Sequence, residues 1–217
     1  REPLAWRGPG DTVRDVHSYG PLPVPGVITQ SSNVGVVKLA QMMDYASLWR
    51  LYDQFGFGHA TGVEFPAESP GSLRHHATWR PFEHATMAFG YSLSVTALQL
   101  AQAYSVLAAD GIKRPVTLLK RDAGPGEGQA ETRVLSVKTA RSVRAMMETV
   151  VSDIGTAKRA TVPGYRVAGK TGTAKKATGR GYAAGKYQAV FAGMAPAGNP
   201  RLVMVVMIDE PRGAYYG

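Results

Sequence analysis

Apolar residues recur at helical spacing in several stretches of the chain, at positions i, i+3, i+4 and i+7. In the first stretch these positions are Val36, Leu39, Ala40 and Met43. Residues that commonly cap helix N-termini precede the later stretches. The pattern predicts helices over residues 34–43, from Asp44 to Gly56, from Thr96 to Asp110 and from Ser136 onward.

The third of these predicted helices has the strongest start signal, because Thr96 and Gln99 form a capping box. Its apolar positions are typical of a core-facing side rather than of a cofactor site, and we expect no cofactor. The residues expected to face the core are Ala97, Leu100, Ala101, Tyr104 and Ala108.

Extended segments dominate the C-terminal part of the chain. Residues 187–195 and 201–208 are rich in β-formers and are joined by a Pro- and Gly-containing turn, which predicts an antiparallel hairpin. Val203, Val205 and Val206 show no alternation, so we expect that strand to be buried on both faces. Helices followed by strands indicate an α+β fold with an antiparallel sheet.

Glycine and proline mark the segments expected to be irregular. Residues 1–30 carry several prolines and predict a loop with one short strand at residues 12–16. Residues 58–82 and 122–131 are also expected to be irregular, with a short strand at residues 115–120. Glycines in residues 177–186 predict a mobile loop.

Composition is compatible with one sizeable core, since the chain has 217 residues of which 44% are hydrophobic. The sequence contains no run of about 18 uncharged apolar residues, the length that would predict a membrane-spanning helix. The chain begins at Arg1 without an initiating Met, and we expect it to be a piece of a longer protein. It has no Cys and no His-rich spacing typical of zinc sites, so we expect no metal.

The net charge of +9 is compatible with an anionic substrate, a membrane surface, nucleic acid or simply a solvated basic face. Nucleic acid is the weakest of these interpretations, because the basic residues are not clustered with aromatic residues on one element. The basic residues that do cluster are Lys170, Lys175, Lys176, Arg180 and Lys186.

A short predicted strand at residues 167–174 carries the triplet Lys170-Thr171-Gly172. Gly169 and Gly172 weaken a strand, and close approach of a ligand backbone would explain them. Lys170 and Thr171 then offer a charge and a hydroxyl to a carboxylate-bearing substrate. Taken alone, the triplet is more typical of a surface lysine in a glycine-containing strand than of a substrate site.

A second triplet, Ser31-Ser32-Asn33, immediately precedes the first predicted helix, where helix capping alone would explain it. The order of S-x-N and then K-T-G along one chain is the paired signature of penicillin-binding proteins and serine β-lactamases. With the flanking segments 26–35, 88–96 and 209–211, the chain resembles the class B penicillin-binding proteins of the division-septum type. The resemblance covers nearly the whole chain.

That resemblance implies a penicillin-binding-protein/serine β-lactamase-like fold, an antiparallel sheet with a helical subdomain. Residues 1–217 would be the C-terminal part of a transpeptidase domain. A Glu-Asn element that activates the deacylating water in class A β-lactamases is absent between the motifs, since Asn199 is the only asparagine besides Asn33. The family function implied is therefore peptidoglycan D,D-transpeptidation.

Roles for individual residues follow from the same resemblance. Ser31 would relay a proton to the leaving amine, Asn33 would hold the substrate amide, and Lys170 would orient Ser31. The Thr173 backbone N–H would complete an oxyanion hole. The remaining substrate-binding residues implied are Thr171, Gly172, Tyr91, Tyr187, Tyr215 and Tyr216.

Two difficulties accompany these roles. Strand alternation puts Lys170 and Thr171 on opposite faces, so both can serve one cleft only from an edge strand with Lys170 reaching beneath it. In addition, no serine has a lysine three positions later, and we reject the related patterns at residues 117–120 and 173–176. The S-x-x-K nucleophile of the family precedes S-x-N, so we expect it upstream of Arg1 and expect this piece alone to be inactive.

The family also implies peptidoglycan stem peptides as substrate, acylation by β-lactam antibiotics, and a septal glycan polymerase with other divisome proteins as partners. It implies a location at the periplasmic face of the bacterial inner membrane, with an N-terminal anchor. A non-enzymatic penicillin-sensing domain of the same fold remains the alternative, and a basic nucleic-acid-binding domain is less favoured.

Overall fold

The computed structural model describes residues 5–8, 11–120, 131–178 and 181–213. Helices and antiparallel sheets coexist in this part of the chain, which confirms the predicted α+β class. The helices are α1 (Val24–Thr29), α2 (Asn33–Ala40), α3 (Tyr45–Phe55), α4 (Pro81–Met87), α5 (Ala97–Ala108) and α6 (Val137–Val150), with short 3-10 helices at His76–Thr78 and Lys158–Ala160. The strands are β1 (Ala5–Gly8), β2 (Asp11–Arg14), β3 (Ile112–Lys113), β4 (Thr132–Arg133), β5 (Ala168–Thr178), β6 (Gly181–Ala195) and β7 (Leu202–Asp209).

The main sheet has the strand order β5-β6-β7 within the described residues, and both pairings are antiparallel. Lys170 lies opposite Ala192 in the β5–β6 register. The strands β1 with β2 and β3 with β4 form two small antiparallel pairs. Strand β5 is thus an outer strand of the described sheet, which is the position that the predicted cleft requires.

A hydrophobic core joins the sheet to two helices. Leu107 of α5 and Met147 of α6 pack with Ala168 of β5 and with Met194 of β6. A separate cluster lies among the shorter helices and contains Ala40, Leu48, Trp79 and Met87. The first cluster fixes β5 from behind, because Ala168 has no exposed surface and directly precedes the Gly169-Lys170 segment.

The predicted helix caps are confirmed. The Asp44 carboxylate accepts a hydrogen bond from the Ser47 backbone N–H at 2.6 Å, and α3 ends at Gly56 with φ of 97°. Thr96 and Gln99 form the reciprocal capping box of α5, and Ser136 caps α6. These termini are local interactions, so sequence alone is sufficient to locate them.

Two helices were not predicted. Helix α1 includes Pro25 and lies in a segment expected to be irregular, whereas α4 begins at Pro81, near the end of another such segment. Proline is tolerated in the first turn of a helix, where its missing N–H has no intrahelical acceptor. Within the described residues, Pro25 and Pro81 therefore lie in first turns of helices, whereas Pro21 and Pro66 lie outside helices and strands. The strand predicted at residues 12–16 is β2, within a hairpin with β1.

Three predictions about strand and loop segments were wrong. Residues 115–120 form no strand. The predicted mobile loop at residues 177–186 instead contributes to β5 and β6, which pair as far as Thr178 opposite Gly181. Strand β7 is not buried on both faces, since Leu202, Met204, Val206 and Ile208 are all exposed. The loop expected at residues 122–131 lies almost wholly outside the described residues.

The predicted inner face of α5 was also partly wrong. Ala97 is exposed, whereas the buried residues are Gln99, Gln102, Ala103, Val106 and Leu107. Gln99 is buried because its side-chain amide donates to the carbonyls of His59 and Pro70, at 2.7 and 2.8 Å. Hydrophobic periodicity misses such positions, since a buried amide is stabilised by partners that are remote in sequence.

Candidate active site

The Ser31-Ser32-Asn33 triplet forms the junction between α1 and α2. Ser32 is the N-cap of α2 and accepts a hydrogen bond from the Gly35 N–H at 2.9 Å. Ser31 is the residue before the cap and has φ of 56°, in the left-handed region. That conformation costs free energy for a residue with a Cβ. The triplet therefore divides its roles, with Ser32 capping and Ser31 exposed.

Asp15 stabilises this junction and was not identified from the sequence. Its carboxylate accepts hydrogen bonds from Ser32 Oγ at 2.7 Å and from the Val34 N–H at 3.0 Å. Both donors lie at the start of α2, where the helix dipole favours a negative charge. Asp15 follows β2, so it ties the β1–β2 hairpin to the Ser31 segment. An isolated aspartate after a short strand gave no signal of this contact.

Lys170 reaches Ser31 across the cleft. Its Nζ donates a hydrogen bond to Ser31 Oγ at 2.7 Å and another to the Thr171 carbonyl at 3.0 Å. The two residues are 139 positions apart in the chain. Burial lowers the pKa of Lys170 to about 8, because removing the ammonium from water disfavours its charged form. The site thus contains a cation whose proton is held less tightly than that of a solvated lysine.

The two glycines beside Lys170 have different surroundings. A Cβ on Gly169 would lie 2.5 Å from the Phe191 ring and 2.9 Å from the Ala192 carbonyl oxygen. A Cβ on Gly172 would meet nothing closer than Val190, at 3.9 Å. Packing against β6 therefore explains Gly169 without any ligand, whereas Gly172 is exposed and leaves the outer side of β5 open.

Asn33 is the first residue of α2, and its side-chain amide donates to the Arg14 carbonyl at 3.4 Å. This contact joins Asn33 to the end of β2. Thr173 lies opposite Ala189 in the β5–β6 register, three residues beyond Lys170 on the same strand. Asn33 therefore lies two residues from Ser31, and Thr173 lies on the strand that carries Lys170.

Tyr91 is also brought to β5. Its hydroxyl accepts a hydrogen bond from the Lys175 N–H at 3.3 Å. Its ring packs edge-on against Phe89 and against Tyr182, with ring centroids 5.6 and 5.5 Å apart. Tyr182, on β6, was not identified from the sequence because glycines surround it. These rings form an aromatic group at the Lys175 end of β5.

The other predicted tyrosines differ in placement. Tyr187 lies opposite Lys175 in the β5–β6 register, at the same end of the strand as Tyr91. Tyr215 and Tyr216 lie outside the described residues. The structure therefore describes two of the predicted tyrosines, Tyr91 and Tyr187, at the Lys175 end of β5, and adds Tyr182 against Tyr91. The aromatic wall stays a prediction.

Thr171 has a partner that the sequence did not indicate. Its hydroxyl oxygen lies 3.2 Å from that of Thr156, which follows α6 in the chain. Thr171 itself lies opposite Phe191 on β6. The arrangement places two hydroxyl groups side by side next to Lys170.

Chemically, this site combines an exposed serine hydroxyl, an adjacent lysine of lowered pKa, and hydroxyl groups along an outer strand. Such groups can pass a proton and bind an anion. Among the described residues, no cluster of three or more His, Cys, Asp or Glu side chains is placed to hold a metal ion. No helix in the described ranges is long and apolar enough to cross a membrane.

Comparison with known proteins finds relatives that are named as peptidoglycan D,D-transpeptidases. The chain is 43% identical over 206 residues to the probable peptidoglycan D,D-transpeptidase PenA of Neisseria meningitidis serogroup A, covering 94% of this chain and 35% of that protein. It is 42% identical over 216 residues to the peptidoglycan D,D-transpeptidase FtsI of Escherichia coli K12, covering 99% of this chain and 36% of that protein. The chain thus spans about a third of the length of these curated relatives.

A solved structure agrees in both sequence and fold. The TP domain of penicillin-binding protein 3 from Burkholderia pseudomallei is 48% identical, with a TM-score of 0.89, over 95% of this chain and 62% of that one. Residues 3–217 match the family described as the penicillin binding protein transpeptidase domain. The chain therefore belongs to the penicillin-binding protein transpeptidase domain family.

Proposed function

We propose that the protein carrying this chain is a peptidoglycan D,D-transpeptidase that crosslinks stem peptides during septal cell-wall synthesis. The observation that carries the proposal is the 2.7 Å hydrogen bond from Lys170 Nζ to Ser31 Oγ. It joins the two sequence motifs into one site. The names of the relatives PenA and FtsI support the same reaction.

The proposed reaction is acyl transfer through a serine supplied upstream of Arg1. That serine attacks the carbonyl carbon of the penultimate D-Ala, and its proton passes to the lysine of the same S-x-x-K motif. The bond to the terminal D-Ala breaks as Ser31 delivers a proton to the leaving amine. The amine of a second stem peptide then attacks the ester, which forms the crosslink and restores the serine.

The remaining residues bind the donor peptide in this proposal. Asn33 holds its amide, and Thr171 receives its terminal carboxylate beside the charge of Lys170. The Thr173 N–H stabilises the oxyanion, a contribution that is typically about 3 kcal/mol for one donor. Gly172 leaves room for the peptide along β5. The aromatic residues Tyr91 and Tyr187, with Tyr215 and Tyr216, would flank it.

A β-lactam would occupy the same site and acylate the same serine, consistent with the penicillin-binding family description. Septal glycan polymerase and other divisome proteins are the partners proposed from the resemblance. The proposed location is the periplasmic face of the inner membrane, with an anchor outside this chain. No metal or cofactor is assigned a role.

Labelling with a fluorescent penicillin tests the proposal. The protein extended upstream to include a Ser-x-x-Lys motif is expected to become covalently labelled, and changing that serine to alanine is expected to abolish labelling. The 217-residue chain alone is expected to gain no penicillin mass in an intact mass spectrum. An extended protein that carries the motif but is never acylated would refute the enzymatic function in favour of a non-catalytic binding domain.

A further inference from the structure

The segment that follows α6, residues 152–157, contacts both sides of the cleft; we call it the brace. Its Ile154 carbonyl accepts a hydrogen bond from the Gln30 side-chain amide at 3.1 Å, and Gln30 directly precedes Ser31. Its Thr156 hydroxyl lies 3.2 Å from the Thr171 hydroxyl on β5. One short segment is thus hydrogen-bonded both to the neighbour of Ser31 and to the neighbour of Lys170.

The brace is held in place from its own side by α6. The Ala157 N–H donates to the Val150 carbonyl at 2.9 Å, and Ser152 Oγ donates to the Thr149 carbonyl at 2.6 Å. Gly155 has no room for a side chain, since a Cβ there would lie 2.2 Å from the Val150 carbonyl oxygen. The path of the backbone to Thr156 is therefore fixed by the end of α6.

Helix α6 is in turn joined to the element before Ser31. The hydroxyl oxygens of Thr149 and Thr29 lie 2.5 Å apart, which links α6 to α1. Ala157 is buried in a cluster with Val150 and Val151, against which Ile28 of α1 packs. The brace is therefore joined to the Ser31 side of the cleft through α1, and it is hydrogen-bonded to β5 through Thr156.

We propose that Thr156 is a positioning residue that orients the Thr171 hydroxyl for the carboxylate of the donor substrate. A hydroxyl has a single proton to donate. Once Thr171 gives that proton to a carboxylate, its contact with Thr156 persists only if Thr156 is the donor. Thr156 then fixes the direction of the Thr171 O–H and polarises it, which strengthens the hydrogen bond to the anion. The inference rests on the proposed function and assigns specificity for a free carboxylate to this pair of hydroxyls.

The test compares acylation of the extended protein by benzylpenicillin and by its methyl ester, which lacks the free carboxylate. Thr156→Val keeps the shape of the side chain but removes the hydroxyl. We expect it to lower acylation by benzylpenicillin about fivefold, the usual scale for one lost hydrogen bond. We expect the change to appear as a higher dissociation constant of the non-covalent complex that forms before acylation. The ester offers no free carboxylate to the Thr171 hydroxyl. We therefore expect acylation of Thr156→Val by the ester to stay within about twofold of wild type.

Two further variants make the test specific. Thr156→Ser retains a hydroxyl and is expected to retain the preference for benzylpenicillin. Thr161→Val is the matched control, because among the described residues the Thr161 hydroxyl bonds only the Lys158 carbonyl, at 2.6 Å, and Thr161 lies outside the brace. It is expected to behave as wild type.

The possible outcomes separate the inference from the function on which it rests. If Thr156→Val matches wild type with benzylpenicillin, or slows both probes equally, the positioning role is overturned while the transpeptidase assignment stands. If the wild-type extended protein reacts with neither probe, both proposals are overturned.

Discussion

Within the described residues, the two outer strands of the main sheet are β5 and β7, and they expose different chemistry. Strand β5 presents Lys170, Thr171 and the open Gly172 beside Ser31. Strand β7 exposes Leu202 and Met204, with relative accessibilities of 69% and 62%, and also Val206 and Ile208. The polar outer strand can bind an extended peptide by hydrogen bonds and charge. The apolar one contributes little to stability while its side chains stay in water.

The largest effect is expected from comparing a buried methionine with an exposed one. Met194 on β6 is 2% exposed within the core, whereas Met204 on β7 is 62% exposed. We expect Met194→Ala to lower the free energy of unfolding by about 2–5 kcal/mol, because it leaves a cavity. Met204→Ala is expected to change it by less than about 0.5 kcal/mol. Urea unfolding measures both. Similar losses for the two variants would show that β7 is packed and would break the comparison.

Lys170 tests whether the β5 side acts in catalysis. We expect Lys170→Met to slow acylation of the extended protein by about 10²–10³-fold, the scale for loss of one preorganised donor. Lys38→Met, at an exposed lysine of α2, is the matched control and is expected to be neutral. Stopped-flow labelling with a fluorescent penicillin measures the rates. A Lys170→Met enzyme as fast as the control would remove this strand from the proposed mechanism.

The lowered pKa of Lys170 predicts a dependence of stability on pH. Burial lowers the pKa to about 8, below the ordinary lysine value of 10.5, so the unfolded chain binds more protons than the folded one between these values. The Lys170 contribution to the free energy of unfolding therefore increases as pH rises from 8, by at most about 2–3 kcal/mol at pH 10. The difference in the free energy of unfolding between wild type and Lys170→Met, measured by urea unfolding at pH 7 and pH 10, isolates this contribution of Lys170. A difference that does not change with pH would show that Lys170 is solvated.

Ser31 gives the smallest expected effect. Its φ of 56° lies in the left-handed region, which favours glycine over a residue with a Cβ. We therefore expect Ser31→Gly to be more stable than Ser31→Ala by about 1 kcal/mol, the reverse of the usual order in loops. Thermal unfolding of the two variants compares them, since both lose the same hydroxyl. Greater stability of the alanine variant would mean that Ser31 is not held in this conformation.

Local signals in the sequence predicted part of the fold well. The caps at Asp44, Thr96 and Ser136 depend on contacts three residues apart, and all three were predicted correctly. The β6–β7 hairpin was also predicted, because its turn and strands are adjacent in the chain. In contrast, the inner face of α5 was partly wrong, since Gln99 is buried by partners 29 and 40 residues away.

Contacts between different elements explain the remaining differences between the sequence-based predictions and the structure. The contact between Thr156 and Thr171, the role of Asp15 at the α2 start and the packing of Tyr182 on Tyr91 carried no sequence pattern. Each joins single polar or aromatic residues on different elements. Periodicity and capping rules describe neighbours along the chain, so they do not identify such pairs.

By itself, the sequence determined the α+β class, the main helix caps and the two motifs that resemble one enzyme family. The family resemblance paired Lys170 with Ser31, and the tertiary structure gave that pair its 2.7 Å hydrogen bond. Only the tertiary structure decided that Thr171 has Thr156 beside it and that β7 leaves its alternate side chains exposed. The physical reason is range. Propensity and capping act over a few residues, whereas a site is built where the folding of the sheet onto its helices brings together residues more than a hundred positions apart.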